Sequence, residues 1–255
     1  MTNSNNDGNQ PLLAHIIELR DRLLRAIYSI GIIFCGLFYF ANDIYEIVSK
    51  PIRDQLPEGS TMIATDITAT FFAPFKLTLM VSFFLAMPVL LHQTWKFISP
   101  GLYASEKRLA IPMLISSVLL FYAGIAFAHF IIFPVIMEFF THIGPESVAI
   151  TPDITQYLSI SLKLFFAFGL AFEIPIAVML VIWSGAASAA SLSEKRPYIV
   201  IGCFVFAMLL TPPDPFSQSM LAIPMWMLFE VGLLFGRLVD KSKKEKSDKE
   251  IESSK

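Results

Sequence analysis

Residues 95–108, WKFISPGLYASEKR, gather three aromatics, three bases and one acid, Glu106, around a Pro-Gly turn between two long apolar runs. A second acid, Glu18, lies on the polar stripe His15, Glu18, Arg22 and Arg25, at helical spacings of three and four. Two carboxylates beside aromatics suit a receptor for a basic peptide. Each acid also has a plainer reading. Glu106 fits a solvated charge cluster at a helix start, where the helix dipole favours an acid. Glu18 fits an i, i+4 partner for Arg22. Exposed ion pairs contribute about 0.2–1 kcal/mol each. Two acids would therefore hold a peptide only with apolar help, for example from Phe97 or the bilayer.

Glu173 is the sharpest single residue. It sits mid-run in FGLAFEIPIAV with no base within one helical turn. A charge at that depth costs roughly 2.5–3.5 kcal/mol on insertion scales. It is either a buried acid donating its proton to a nearby carbonyl or a functional group facing a wet concavity. Pro175 frees the carbonyl of Ala171 and predicts a kink there. Glu230 is near enough to the interface to snorkel or pair with Arg237. Asp214 in TPPDPFSQ predicts a helix cap with Pro215 at the first helical position and Gln218 a turn later. Pro51 and Pro57 shape a polar connection. Cys35 and Cys203 each sit inside an apolar run, so inert thiols are expected. The four histidines are scattered, and no GxSxG, HExxH or Walker A loop occurs. Neither enzyme activity, a cofactor, a metal nor a nucleic-acid partner is expected.

The elements that must position these residues are membrane spans. The chain is 55% hydrophobic and 16% charged, against roughly a quarter charged in soluble domains. Its mean hydropathy is +0.63. An amphipathic helix is predicted over Leu12–Arg25. Spans are predicted at Ala26–Ala41, Ala73–Gln93, Leu109–Phe130, Thr155–Trp183, Tyr198–Leu210 and Ser219–Arg237. The fold class is thus all-α, with six transmembrane helices. The fifth span covers roughly 21 Å at 1.5 Å per residue, short of a hydrocarbon core of about 30 Å. It requires either local thinning of the bilayer or a tilted neighbour. Asn42–Phe72 is long for a connection and has room for short helices. Residues 1–10 are expected to be a disordered tail rather than a cleavable signal peptide. Residues 11–237 form the six-span domain. Residues 238–255 form a basic, disordered tail able to touch anionic lipid.

Lys and Arg set the orientation. Fifteen of the 19 fall on the N-terminal segment, the second and fourth connections and the tail. The positive-inside rule puts both termini and the 95–108 loop in the cytoplasm.

The stretches HIIELRDRLLRA (15–26), KP (50–51), HQTWKFISPGLYASEKR (92–108), FGLAFEIP (168–175), LSEKRPY (192–198) and LTPPDPFSQSMLAIPMWMLFE (210–230) together resemble the TatC family, the multi-span subunits of the twin-arginine protein translocase. The resemblance implies a concave, glove-like bundle in the bacterial cytoplasmic (inner) membrane that takes part in exporting folded cargo, driven by the proton gradient. It implies that Glu18 and Glu106 bind the Arg-Arg pair of the cargo's signal peptide. Phe97, Arg20 and Gln93 would share that surface. Glu173 and Gln218 would engage partner subunits, TatB and TatA, within an oligomeric receptor complex. Pro51 and Asp214 would be functional outer-loop positions. Gly101 and Ser105 stand where relatives carry more helical or charged residues. The rival reading is a proton-coupled transporter with Glu173 as relay, which would expect inverted repeats that the two halves do not display.

Overall fold

In a computed structural model of the chain, the structure describes residues 10–53, 63–64, 66–98, 110–143, 153–211 and 214–253. Ten α-helices account for almost all of them: α1 Gln10–Leu37, α2 Ala41–Arg53, α3 Ala69–Ile98, α4 Ala110–Phe127, α5 Phe133–Ile143, α6 Ile154–Ala171, α7 Ile174–Trp183, α8 Ala189–Glu194, α9 Arg196–Leu210 and α10 Pro215–Ser253. No strand occurs among the described residues; Ile63 and Asp153 make one isolated parallel bridge. Five stretches are long and apolar enough to cross a membrane, at 16–50, 69–97, 111–139, 154–183 and 215–238. Residues 196–210 form a shorter apolar helix. The protein is an all-helical membrane protein.

Two compact units divide the chain, with boundaries within α4 and at the start of α6. The first comprises residues 1–118 and 152–155. Here α1 and α2 lie along α3. The amphipathic segment at 12–25 and the apolar segment after it are one unbroken helix, α1. Its apolar side chains, among them Leu23, Ile27 and Ile32, stay exposed, as befits a surface meant for lipid. Phe34 meets Phe75 edge-on at 5.3 Å between centroids and so ties α1 to α3. One face of α3 is buried at Ala73, Leu77, Phe84, Met87, Leu91 and Trp95, a run of helical spacings. The buried hydroxyls of Thr78 and Ser82 each donate to the carbonyl four residues back, at 2.8 and 2.7 Å, which satisfies them in apolar surroundings. Ahead of α3, the carboxylate of exposed Asp66 accepts from the Thr68 amide at 3.0 Å and hydroxyl at 2.9 Å. These bonds, the amide's first, hold its carboxyl below the usual aspartate range.

The second unit comprises residues 119–151 and 156–255. There α10 packs on α7 and α9. Small residues permit that approach: a Cβ added at Gly232 would lie 2.7 Å from Pro175 Cα. Gly185, at φ +76°, stops α7 where a side chain would strain the backbone. The third apolar stretch changes to a π turn at 128–132 before α5 begins. At the far end of that stretch, Phe139 stacks on Phe216 of α10 at 3.8 Å and 12°. The backbone of α10 stays helical from Pro215 through Ser253.

Candidate functional site

The polar side chains that cluster in the first unit do so around one guanidinium. Glu18 and Arg22 stand one turn apart on α1. Arg22 Nε donates to Glu18 Oε1 at 3.1 Å, and Nη2 bonds the same oxygen. Arg22 is 11% exposed and Glu18 is 41% exposed, so the pair is half sheltered with the carboxylate outward. From Nη1, Arg22 also donates to the main-chain carbonyl of Gln93 at 3.3 Å. That carbonyl lies in the last two turns of α3, and its second lone pair lets it accept from Arg22 beside its bond within the helix. Gln93 is half-buried, and its Oε1 is buried without a hydrogen bond among the described residues. A carboxylate and a peptide carbonyl thus converge on the guanidinium of Arg22. Acceptors placed in this way suit a guanidinium group.

The α3 terminus is held in place. Trp95 Nε1 donates to Ser117 Oγ of α4 at 3.2 Å, and both residues are buried. Phe97, half-buried, follows two residues later. Arg20 points its guanidinium at the neighbouring Asp21, Nη2 to Oδ1 at 2.8 Å, with both side chains exposed. Glu106 and residues 99–109 lie outside the described residues. Of the five residues expected to form one recognition surface, the structure therefore brings together Glu18 and Gln93 through Arg22, with Phe97 on the same terminus as Gln93. The sequence marks Arg22 only as an i+4 partner of Glu18. Its reach to Gln93 links residues 71 apart in sequence, and no local pattern signals that.

In the second unit, Glu173 stands in a break between α6 and α7. Its amide bonds to the carbonyl of Leu170 at 3.0 Å, a tightened turn that ends α6. Pro175 is in the first turn of α7, where its missing N–H costs nothing. The predicted kink is thus a full interruption. Glu173 is half-buried, and its Oε1 is buried. At the start of α10, Asp214 Oδ1 accepts the amide of Ser217 at 2.7 Å, the N-cap that the TPPDPFSQ pattern predicted. Gln218, half-buried, donates its amide to the Asp214 carbonyl at 3.2 Å. Pro51 lies on the backbone of α2 within the connection expected to hold short helices. Glu230 pairs with Arg196 rather than Arg237: Nη2 is 2.7 Å from Oε2, and Nε is 2.7 Å from Oε1. Arg237 instead donates to Ser193 Oγ at 3.3 Å. No group of three or more His, Cys, Asp or Glu suited to a metal occurs among the described residues.

The family model described as "Sec-independent protein translocase protein (TatC)" matches residues 14–224. The Sec-independent protein translocase protein TatC of Azotobacter chroococcum is 60% identical over 230 residues, 90% of each chain. The protein of the same name from Escherichia coli K12 is 54% identical over 231 residues, covering 91% of this chain and 90% of that one. A crystal structure described as the twin arginine translocase receptor TatC superposes with a TM-score of 0.80 at 37% identity, covering 88% of this chain and 99% of the other.

Proposed function

The chain belongs to the TatC family of Sec-independent protein translocase proteins, and from that premise we propose that it is the signal-peptide receptor and core subunit of a twin-arginine translocase. It binds Arg-Arg signal peptides of folded cargo and gathers TatB and TatA into an oligomeric receptor complex. Export runs on the proton gradient, across the bacterial inner membrane. In this reading α9 is a sixth, short span, and both termini are cytoplasmic.

The observation that carries the proposal is the arrangement around Arg22. Glu18 already holds a guanidinium, and the carbonyl of Gln93 accepts from the same group. An incoming arginine finds acceptors of the right type on that surface. Glu106 supplies the second carboxylate for the second arginine. Arg's fork satisfies two acceptors at once, whereas lysine presents a point charge, which gives a preference for Arg-Arg over Lys-Lys. Exposed pairs supply only about 0.2–1 kcal/mol each. Phe97 and the bilayer therefore take the apolar segment of the signal peptide and supply most of the affinity. Arg20 lies on the same helix two residues from Glu18 and adds to the charge of that end of α1.

Glu173 and Gln218 are the proposed contacts for the apolar helices of TatA and TatB. An acid at a helix break offers a hydrogen bond in a setting with few competing polar groups, where polar contacts set register. Pro51 and Asp214 shape the outer connections, Asp214 by starting α10.

The test is binding of a labelled Arg-Arg signal peptide to membranes holding the full chain. Glu18→Ala and Glu106→Ala each weaken binding while insertion stays normal. Unchanged binding in both variants would overturn the assigned roles.

A further inference from the structure

Between α7 and α9, with α10 as its floor, runs an apolar groove of about 440 Å³ that the receptor function does not use. Ala177, Val181, Leu192, Tyr198, Gly202 and Phe229 are among its lining residues. We infer that it holds one acyl chain of an anionic phospholipid, whose phosphate sits at the joint between α8 and α9.

Three features select that occupant. The first is length. The α9 wall runs from Tyr198 to Phe206, nine residues, about 13 Å at 1.5 Å each. That is close to half of a hydrocarbon core of about 30 Å, the depth of a single leaflet. The second is surface chemistry. The walls are aliphatic and aromatic, and Gly202 leaves open space, since a Cβ there would meet nothing within 4 Å. A groove of this kind on a membrane helix pair is filled by hydrocarbon rather than water.

The third is charge at the mouth. Lys195 is exposed at the joint where α8 ends and α9 begins. Arg196 and Arg237 lie beside it, and among the described side chains the acids there are Glu194, which is exposed, and Glu230, which is bonded to Arg196. With Arg196 and Glu230 paired, Lys195 and Arg237 stand against Glu194, an excess of one positive charge among the described side chains. Tyr198, 75% exposed, stands one turn on, at the depth where tyrosines favour the headgroup boundary. Basic residues at the end of a crevice between membrane helices recognise anionic headgroups. The α9 amino terminus adds its partial positive charge to the same spot.

Native mass spectrometry of the detergent-purified full chain tests this, with phosphatidylglycerol, phosphatidylcholine of the same acyl chains, or glycerol phosphate alone. The wild-type chain retains one phosphatidylglycerol with about five-fold preference over phosphatidylcholine. Lys195→Gln removes that preference and Lys195→Arg keeps it. Gly202→Leu, filling the groove, loses both lipids in protein that remains monodisperse. Ala177→Phe on the opposite wall repeats the test if Gly202→Leu does not purify. Equal retention of the two lipids, or retention that survives both groove-filling variants, would overturn the site. So would binding of glycerol phosphate alone at matched concentration, which would mark a free-phosphate site. The receptor proposal stands or falls separately, because these readouts contain no signal peptide.

Discussion

The guanidinium of Arg22 on α1 donates to the main-chain carbonyl of Gln93 on α3 at 3.3 Å while it also holds Glu18. One side chain thus fixes the register of two helices and occupies the carboxylate proposed for a signal-peptide arginine. Arg22 is then a resident competitor for that carboxylate. Arg22→Gln should strengthen binding of an Arg-Arg peptide by about two- to five-fold, the scale of one partly exposed ion pair. Equilibrium binding at two salt concentrations checks this. A loss of binding would show that Arg22 positions Glu18 rather than competing for it.

Close packing predicts where α10 is intolerant. A methyl group at Gly232 would sit 2.7 Å from Pro175 Cα, which is backbone and cannot swing aside. Gly232→Ala should lower stability by about 1–3 kcal/mol, the usual penalty of overpacking. Thermal unfolding in detergent measures it. Gly202→Ala, where nothing lies within 4 Å, is the neutral control.

The Arg196–Glu230 pair ties the start of α9 to α10, and its side chains are 41% and 25% exposed. Solvent screening keeps its coupling near 1 kcal/mol or below. A double-mutant cycle of Arg196→Gln and Glu230→Gln reads that coupling directly. Reversing both charges should recover part of what either single reversal loses.

Asp66 gives a pH signature. Its carboxyl titrates below the ordinary aspartate value of 3.8, because the Thr68 amide and hydroxyl bond the ionised form. The lowered value means that the Asp66 turn ahead of α3 is fully supported above the unfolded-state value. That support is lost as pH falls through the folded one. The Thr68 amide shift should therefore titrate with a midpoint below 3.8, and Asp66→Asn should abolish that titration.

Legibility from sequence followed the range of the interactions. Apolar runs and prolines act locally, so the all-helical class, the shortness of α9 and a bend near Pro175 are readable, while the full break at Phe172–Glu173 is not. The Asp214 cap was also readable, because its bond to Ser217 closes within three residues. Long-range contacts were not. Glu230 has Arg237 seven residues away, at helical spacing, and still pairs with Arg196, 34 residues distant. Nothing local tells Arg22 that Gln93 is its neighbour. The π turn at 128–132 also left no mark, since His129 and its apolar neighbours read equally well as α-helix. Glu18 was legible as an acid on a polar face, while its role came from the family resemblance.

The most direct test of the receptor account is a photoreactive residue at Phe97, next to the α3 terminus that carries Gln93. It is crosslinked in membranes to an Arg-Arg signal peptide and to its Lys-Lys counterpart. The account predicts strong crosslinking to the Arg-Arg peptide, little to the Lys-Lys peptide, and loss of the difference in Glu18→Ala. Equal yields from both peptides in the otherwise wild-type chain would contradict it.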